Sequence, residues 1–183
     1  MTGSSKNLAA SVLARLNNMA RNQGRTHQEL LQYYAIERFL YRLSASKYRD
    51  SFVLKGGVVF LAWQIPLRRP TRDIDLHGRT AYQVAEVIEV IKDICRQPVS
   101  ADGLTFDADS MQGENIQGRA EVEGVRIRLT AHLGNARIPM RIDVGFADIV
   151  VPPSIQLRYP SLLNMPEPTL NAYAYETVIA EKF

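Results

Sequence analysis

The sequence predicts an α+β fold, and three observations carry that prediction. Apolar residues recur at helical spacing through roughly the first 50 positions; in several later stretches they alternate with polar residues; and glycine or proline punctuates the changes between the two patterns. A chain of 183 residues that is 46% apolar can bury one sizeable core.

Leu8, Val12, Leu16 and Met19 line one face of a first helix, which NQGR interrupts. THQE at 26–29 has the form of a capping box, Thr26 accepting from the helix start and Glu29 reaching back. Leu30, Tyr34, Glu37 and Tyr41 extend that second helix to about Ser44. Residues 1–50 are therefore expected to form an N-terminal helical region whose ordinary role is packing, and residues 51–183 a second, mixed unit.

Phe52, Val53 and Leu54 lead into Lys55, Gly56 and Gly57, and VVFLAWQI follows, too apolar for an exposed segment. Adjacent glycines permit a tight turn, close approach of a phosphate, or both. Neither the P-loop ending nor the dinucleotide spacing is present. Pro66 and Pro70 bracket a turn before TRDIDLH. If residues 71–76 are extended, Asp73 and Asp75 share one face while Ile74 and Leu76 share the other. A helix is expected from about Thr80, burying Val84, Val87, Ile88 and Ile91, carrying Cys95 as a buried or half-buried residue and ending at Pro98. Extended signals return at 104–109 and at 115–133, where Gly124 is read as a turn. RIPMRIDVGFADIV then alternates, Arg141, Asp143 and Gly145 on one face against Met140, Ile142 and Val144 on the other. Residues 152–168 read as a proline-punctuated connector, followed by a strand and the helix AYETVIAEKF.

The charge is uneven. Residues 1–79 hold 13 Lys/Arg against 5 Asp/Glu, and residues 80–183 hold 9 against 14. A basic N-terminal half suits a polyanion, an acidic partner, or the chain's own acidic half. One cysteine excludes an intrachain disulfide and a multi-cysteine zinc cluster, which favours a reducing cytoplasm. No apolar run approaches the roughly 18 residues of a membrane span, so no membrane role is expected.

The chemistry concentrates around Asp73 and Asp75, which follow Arg68, Arg69 and Arg72. Two carboxylates one strand period apart suit Mg²⁺, a hard cation that keeps water and recruits phosphate oxygens. A noncatalytic nucleic-acid surface and charges that solvate a turn remain the competing readings. Asp143 would supply a third carboxylate from an adjoining strand and complete a metal platform with Asp73 and Asp75, or would be an ordinary edge-strand aspartate. Asp148 stands near that strand's end. Asp107 and Asp109 repeat the spacing without neighbouring glycines or arginines, which shows how little spacing alone specifies.

KGG at 55–57, RxTxDxD at Arg69–Asp75, the later Asp143 and YETVIAEK at Tyr175–Lys182 together resemble the AbiEii/AbiGii toxin family of the nucleotidyltransferase superfamily, over about residues 50–182. The resemblance implies a nucleotidyltransferase-like mixed sheet flanked by helices, a toxin with a cognate antitoxin, and NTP as substrate. It places Gly56 and Gly57 in the glycine motif, Asp73 and Asp75 as the metal pair, Asp143 as the third acid, Lys182 as the lysine beside bound nucleotide and Glu176 at the acidic position before AEK. Arg69 and Arg72 would balance phosphate charge. The implied reaction moves NMP from NTP to an RNA, tRNA among them, or to a protein acceptor. The alternative is a noncatalytic module that binds nucleic acid or antitoxin. Members continue beyond AEK with further helices and an RxKDxxD-like segment, so full activity is expected to need sequence beyond Phe183.

Overall fold

The computed structural model describes residues 2–63, 71–79, 83–117, 122–146 and 152–180. Helix α1 (Thr2–Gln23) buries Ala9, Val12, Leu16 and Ala20 along one stripe and stops at Gly24, whose φ of +64° ends the helix without a side-chain clash. Helix α2 (His27–Ala45) starts where Thr26 accepts a hydrogen bond from the Glu29 amide at 3.2 Å. It is buried on nearly every side, from Leu30 to Leu43. A 3₁₀ turn, Arg49–Ser51, leads into β1 (Phe52–Lys55) and then α3 (Gly57–Ala62).

The remaining elements are β2 (Asp73–Gly78), α4 (Val84–Cys95), β3 (Leu104–Gln117), β4 (Val122–Leu133), β5 (Ala136–Gly145), β6 (Ile155–Arg158), β7 (Thr169–Ala172) and α5 (Tyr175–Ala180). They form one mixed seven-stranded sheet in the order β3-β4-β5-β2-β1-β7-β6. Strands β3, β4 and β5 run as an antiparallel meander; β2 joins β5 in parallel, β1 is antiparallel to β2 and parallel to β7, and β6 closes the edge antiparallel to β7. The fold is thus α+β with helices packed on a mixed sheet. Ile74, Ile127 and Ile142, all fully buried, belong to the sheet's apolar face, against which α1, α2 and α4 pack.

Buried charge fixes α2 to this core. Arg42 holds Asp102 through two hydrogen bonds, at 2.7 and 3.1 Å, and Tyr34 donates to the Asp102 carbonyl at 2.6 Å. Glu37, fully buried, accepts from Arg38 at 2.5 Å, from the Ser161 hydroxyl at 3.1 Å and from the Leu162 amide at 2.8 Å. Desolvation raises the Glu37 pKa, opposed by the Arg38 charge and these donors.

Three expectations about elements change. Gly124 is no turn: it lies inside β4 opposite Gly145, because a Cβ there would collide with the Val144 carbonyl oxygen as β5 passes. The connector at 152–168 contains β6, which pairs along its whole length with β7. The fourth helix begins at Val84, with Gln83 and Glu86 forming a capping box; Thr80 lies outside the described residues.

Candidate active site

Strand register assembles the site. Lys55 on β1 stands opposite Asp75 on β2, Asp75 opposite Asp143 on β5, Asp143 opposite Arg126 on β4, and Arg126 opposite Glu114 on β3. A second row, two residues along, runs Asp73, Arg141, Arg128 and Gln112. Side chains alternate along a strand, so both rows occupy one face while the intervening isoleucines enter the core. The structure therefore brings Asp73, Asp75 and Asp143 together on a polar face, although Asp143 is far away in sequence.

Arginines occupy the spaces between them. Arg126 clamps Asp143 with both nitrogens of its fork, Nε to Oδ1 at 2.9 Å and Nη2 to Oδ2 at 2.7 Å. Arg141 Nη2 donates to Asp73 Oδ2, and its Nε stands 3.8 Å from Asp143 Oδ2. That Nε is buried and has no hydrogen-bond partner among the described residues. Arg128 pairs with Glu114 at 2.7 Å on the exposed side of the row. Burial, and then the charges of Asp143 and Asp73, push the Asp75 carboxyl up to about 6, while Lys55 and Arg141 pull it down.

The glycine pair closes against these carboxylates. Gly56 has φ +69°, and a Cβ there would collide with the Asp75 carboxylate. A Cβ on Gly57 would lie 2.7 Å from Thr71 Oγ1. The Lys55 ammonium sits 5.7 Å from the centroid of the Tyr173 ring.

Other expected site residues lie apart. Arg72 is exposed, and its carbonyl accepts from Gln32 Nε2 at 3.0 Å. Glu176 is exposed in the first turn of α5, beside Tyr175, whose ring meets Trp63 at 5.2 Å. Arg68, Arg69, Asp148 and Lys182 lie outside the described residues. Asp107 shapes an irregularity inside β3: its Oδ1 accepts from the amides of Asp109 and Ser110 where the β3–β4 register shifts. Reading the sequence missed the charged neighbours Lys55, Arg126 and Arg128. The alternation in GVRIRL marks both arginines as facing one way, but only the register reveals what they face.

No three carboxylate, imidazole or thiolate groups converge into a closed metal cage among the described residues, since Asp143 and Asp73 are turned to arginines. The donor chemistry nevertheless fits a hard divalent cation, which characteristically takes one or two carboxylates and completes its shell with water and phosphate oxygens.

Next to Asp73 lies a cleft of about 580 Å³, bounded by the start of α2, the segment Thr71–Asp73 and strands β3 to β5. It opens where β2 begins at Asp73 opposite Arg141, so Pro139 and Met140 on β5 have no β2 partner.

No helix among the described residues is long and apolar enough to cross a membrane. Two solved structures from Helicobacter pylori resemble the chain. A protein with a provisional nucleotidyltransferase name aligns with TM-score 0.51 at 12% identity, covering 86% of this chain and 58% of its own. JHP933 aligns with TM-score 0.50 at 13% identity, covering 86% and 56%. At such identities the likeness shows the fold, and the chain spans a little over half the length of either protein. No curated protein matches the chain significantly. A profile described as nucleotidyl transferase AbiEii toxin, type IV toxin–antitoxin system, matches residues 38–183, most of the sequence. The chain belongs to the AbiEii family of nucleotidyl transferase toxins.

Proposed function

We propose that this protein is a toxin that transfers NMP from an NTP to an RNA acceptor, releases pyrophosphate, depends on a divalent cation with Mg²⁺ the natural choice, and is countered by a cognate antitoxin. The observation that supports this reading most directly is the register of Asp75 with Asp143 on adjacent parallel strands, with Asp73 two residues away on the same face. Family membership supports the reaction class.

Asp73 and Asp75 bind the cation, and Asp143 faces the acceptor hydroxyl from the neighbouring strand. The bound cation supplies Lewis-acid charge at the phosphate oxygens. Gly56 and Gly57 let the triphosphate approach the backbone beside Asp75, and Lys55 adds positive charge on that side. Arg126 fixes the plane of the Asp143 carboxylate through its two hydrogen bonds. Arg141 offers its Nε, which makes no hydrogen bond among the described residues, to a phosphate oxygen where negative charge develops. Lys182, Arg69 and Arg72 add positive charge toward the nucleotide.

The arginine row also favours a second reading, a module that binds polyanions without turnover. Labelled nucleotides separate the two. With NTP labelled in turn at the α- and γ-phosphate, the α label enters the acceptor in the presence of Mg²⁺ and stops on chelation, while the γ label leaves as pyrophosphate. Entry of the γ label, or binding without any incorporation across the four NTPs and both RNA and protein acceptors, contradicts the proposal.

A further inference from the structure

We infer that Trp63 and Tyr175 form the platform on which the nucleobase of the incoming NTP stacks. This rests on nucleotidyl transfer at the carboxylate face, with the triphosphate beside Asp75, Lys55 and the glycine pair. Among the described residues, Ile155 and Tyr175 are the large apolar side chains that stay exposed, and of the two Tyr175, at 49%, carries a ring. Its centroid stands 5.2 Å from that of Trp63. Trp63 in turn meets the buried Phe60 ring edge-on at 6.0 Å, which fixes the indole beneath the tyrosine.

Two separate paths along the fold lead from the triphosphate to this pair. Helix α3 starts at Gly57, one residue after the glycine that presses on Asp75, and Trp63 follows its last residue, about 9 Å along the axis at about 1.5 Å per residue. From β1, the Leu54 carbonyl accepts from the Tyr173 amide at 2.9 Å, and the Tyr173 ring centroid lies 5.7 Å from the Lys55 ammonium. Tyr175 comes two residues later, as the first residue of α5. Strand order sets β1 and β7 on one side of Asp75 and β5, with Asp143, on the other. The aromatic pair therefore belongs to the triphosphate's side and not to the acceptor's. A ribose separates base from phosphates by a comparable length, so a triphosphate held at Asp75 carries its base to the rings. Stacking uses the π face that every base shares, and the pair places the base without choosing among the four. One exposed ring matches one base, whereas a protein partner covers roughly 800 Å².

Trp63 is the single tryptophan of the chain, so its fluorescence reports what reaches the pair. The full chain with Mg²⁺ is titrated with the α,β-methylene analogues of the four NTPs, which cannot be cleaved at the bond that transfer breaks. Inorganic tripolyphosphate, which has the phosphates and lacks the base, is titrated in parallel; emission is corrected for nucleotide absorbance and affinities are taken from calorimetry. The result expected is that the analogues quench Trp63, while tripolyphosphate displaces them and leaves the emission of the chain unchanged. Tyr175 is exposed, so its substitution leaves the fold intact. Tyr175→Leu weakens analogue binding about tenfold and tripolyphosphate binding less than about twofold, and Tyr175→Phe stays within about twofold of the parent for both. Analogue binding without a change in Trp63 emission overturns the inference, as does failure of every analogue to bind. Parental analogue affinity in Tyr175→Leu, or equal losses for analogue and tripolyphosphate, overturns it too. The transfer reading is judged separately. Incorporation of the α label with no Trp63 response removes the base platform and leaves transfer standing; quenching that Tyr175→Leu weakens, with no incorporation, supports the platform and counts against transfer.

Discussion

At Gly56 one missing Cβ decides the geometry of the site. The backbone there is left-handed at φ +69° and presses against the Asp75 carboxylate. Gly56→Ala should therefore cost about 1 kcal/mol or more of stability and lower divalent-cation affinity by displacing Asp75. Titration calorimetry with Mn²⁺ and urea unfolding measure both effects. An alanine variant that binds the ion like the parent would remove Gly56 from the site. Asp75 makes a second prediction, about pH. Its folded pKa near 6 lies above the ordinary 3.8, so the folded state holds the proton more tightly than the unfolded chain. This contribution makes stability fall as pH rises from about 4 to about 6 and stay level above that. Asp75→Asn removes the penalty: without divalent ions, it should be more stable than the parent at pH 7.5 by on the order of 1–2 kcal/mol and nearly equal at pH 4. Urea midpoints at the two pH values check the sign, and an equal difference at both would contradict it.

Among the elements, helices α1 and α2 were legible from Leu8, Val12, Leu16 and from Thr26, because local spacing and capping determine them. Strand β2 was legible from the alternation of Asp73 to Leu76. Gly124 was misread, since a glycine required by a neighbouring backbone and one required by a turn look alike until the neighbour is known. Strand β6 stayed hidden because IQLR sits among prolines and shows only one inward residue, Leu157. Helix α2 carries more than its apolar pattern announces. Asp102, 3% exposed, is held by the buried Arg42. Asp102→Ala should destabilise the protein by about 3–5 kcal/mol, because it strands the Arg42 charge in the core. Denaturant unfolding measures the loss. A change below about 1 kcal/mol would show that water reaches Arg42.

Across the whole molecule, the sequence identified the three aspartates individually but not their distance or their companions. The alternation around Asp75 and Asp143 assigned each to a polar face; the parallel pairing of β2 with β5 is a property of chain topology, which no local spacing encodes. Arg126 stayed invisible for the same reason; together with Arg141, which the alternation placed on the Asp143 face without revealing its partner, it explains why the carboxylates stand in ion pairs rather than in a closed cage. Asp107 supplies the internal contrast: it has the same DxD spacing but lies at the register shift within β3, where it accepts from backbone amides. The account turns on the claim that transfer takes place at the face built from Asp73, Asp75 and Asp143. Its most direct test is the turnover of α-labelled NTP with Mg²⁺ by Asp73→Asn, Asp75→Asn, Asp143→Asn and Asp107→Asn, each shown to be folded by circular dichroism and melting. The account predicts that the first three each lose at least about a hundredfold in turnover, as expected when charge stabilisation at a reacting phosphate is removed, and that Asp107→Asn stays within about threefold of the parent. Near-parental turnover by folded Asp73→Asn and Asp75→Asn, or a loss in Asp107→Asn as large as theirs, would contradict it.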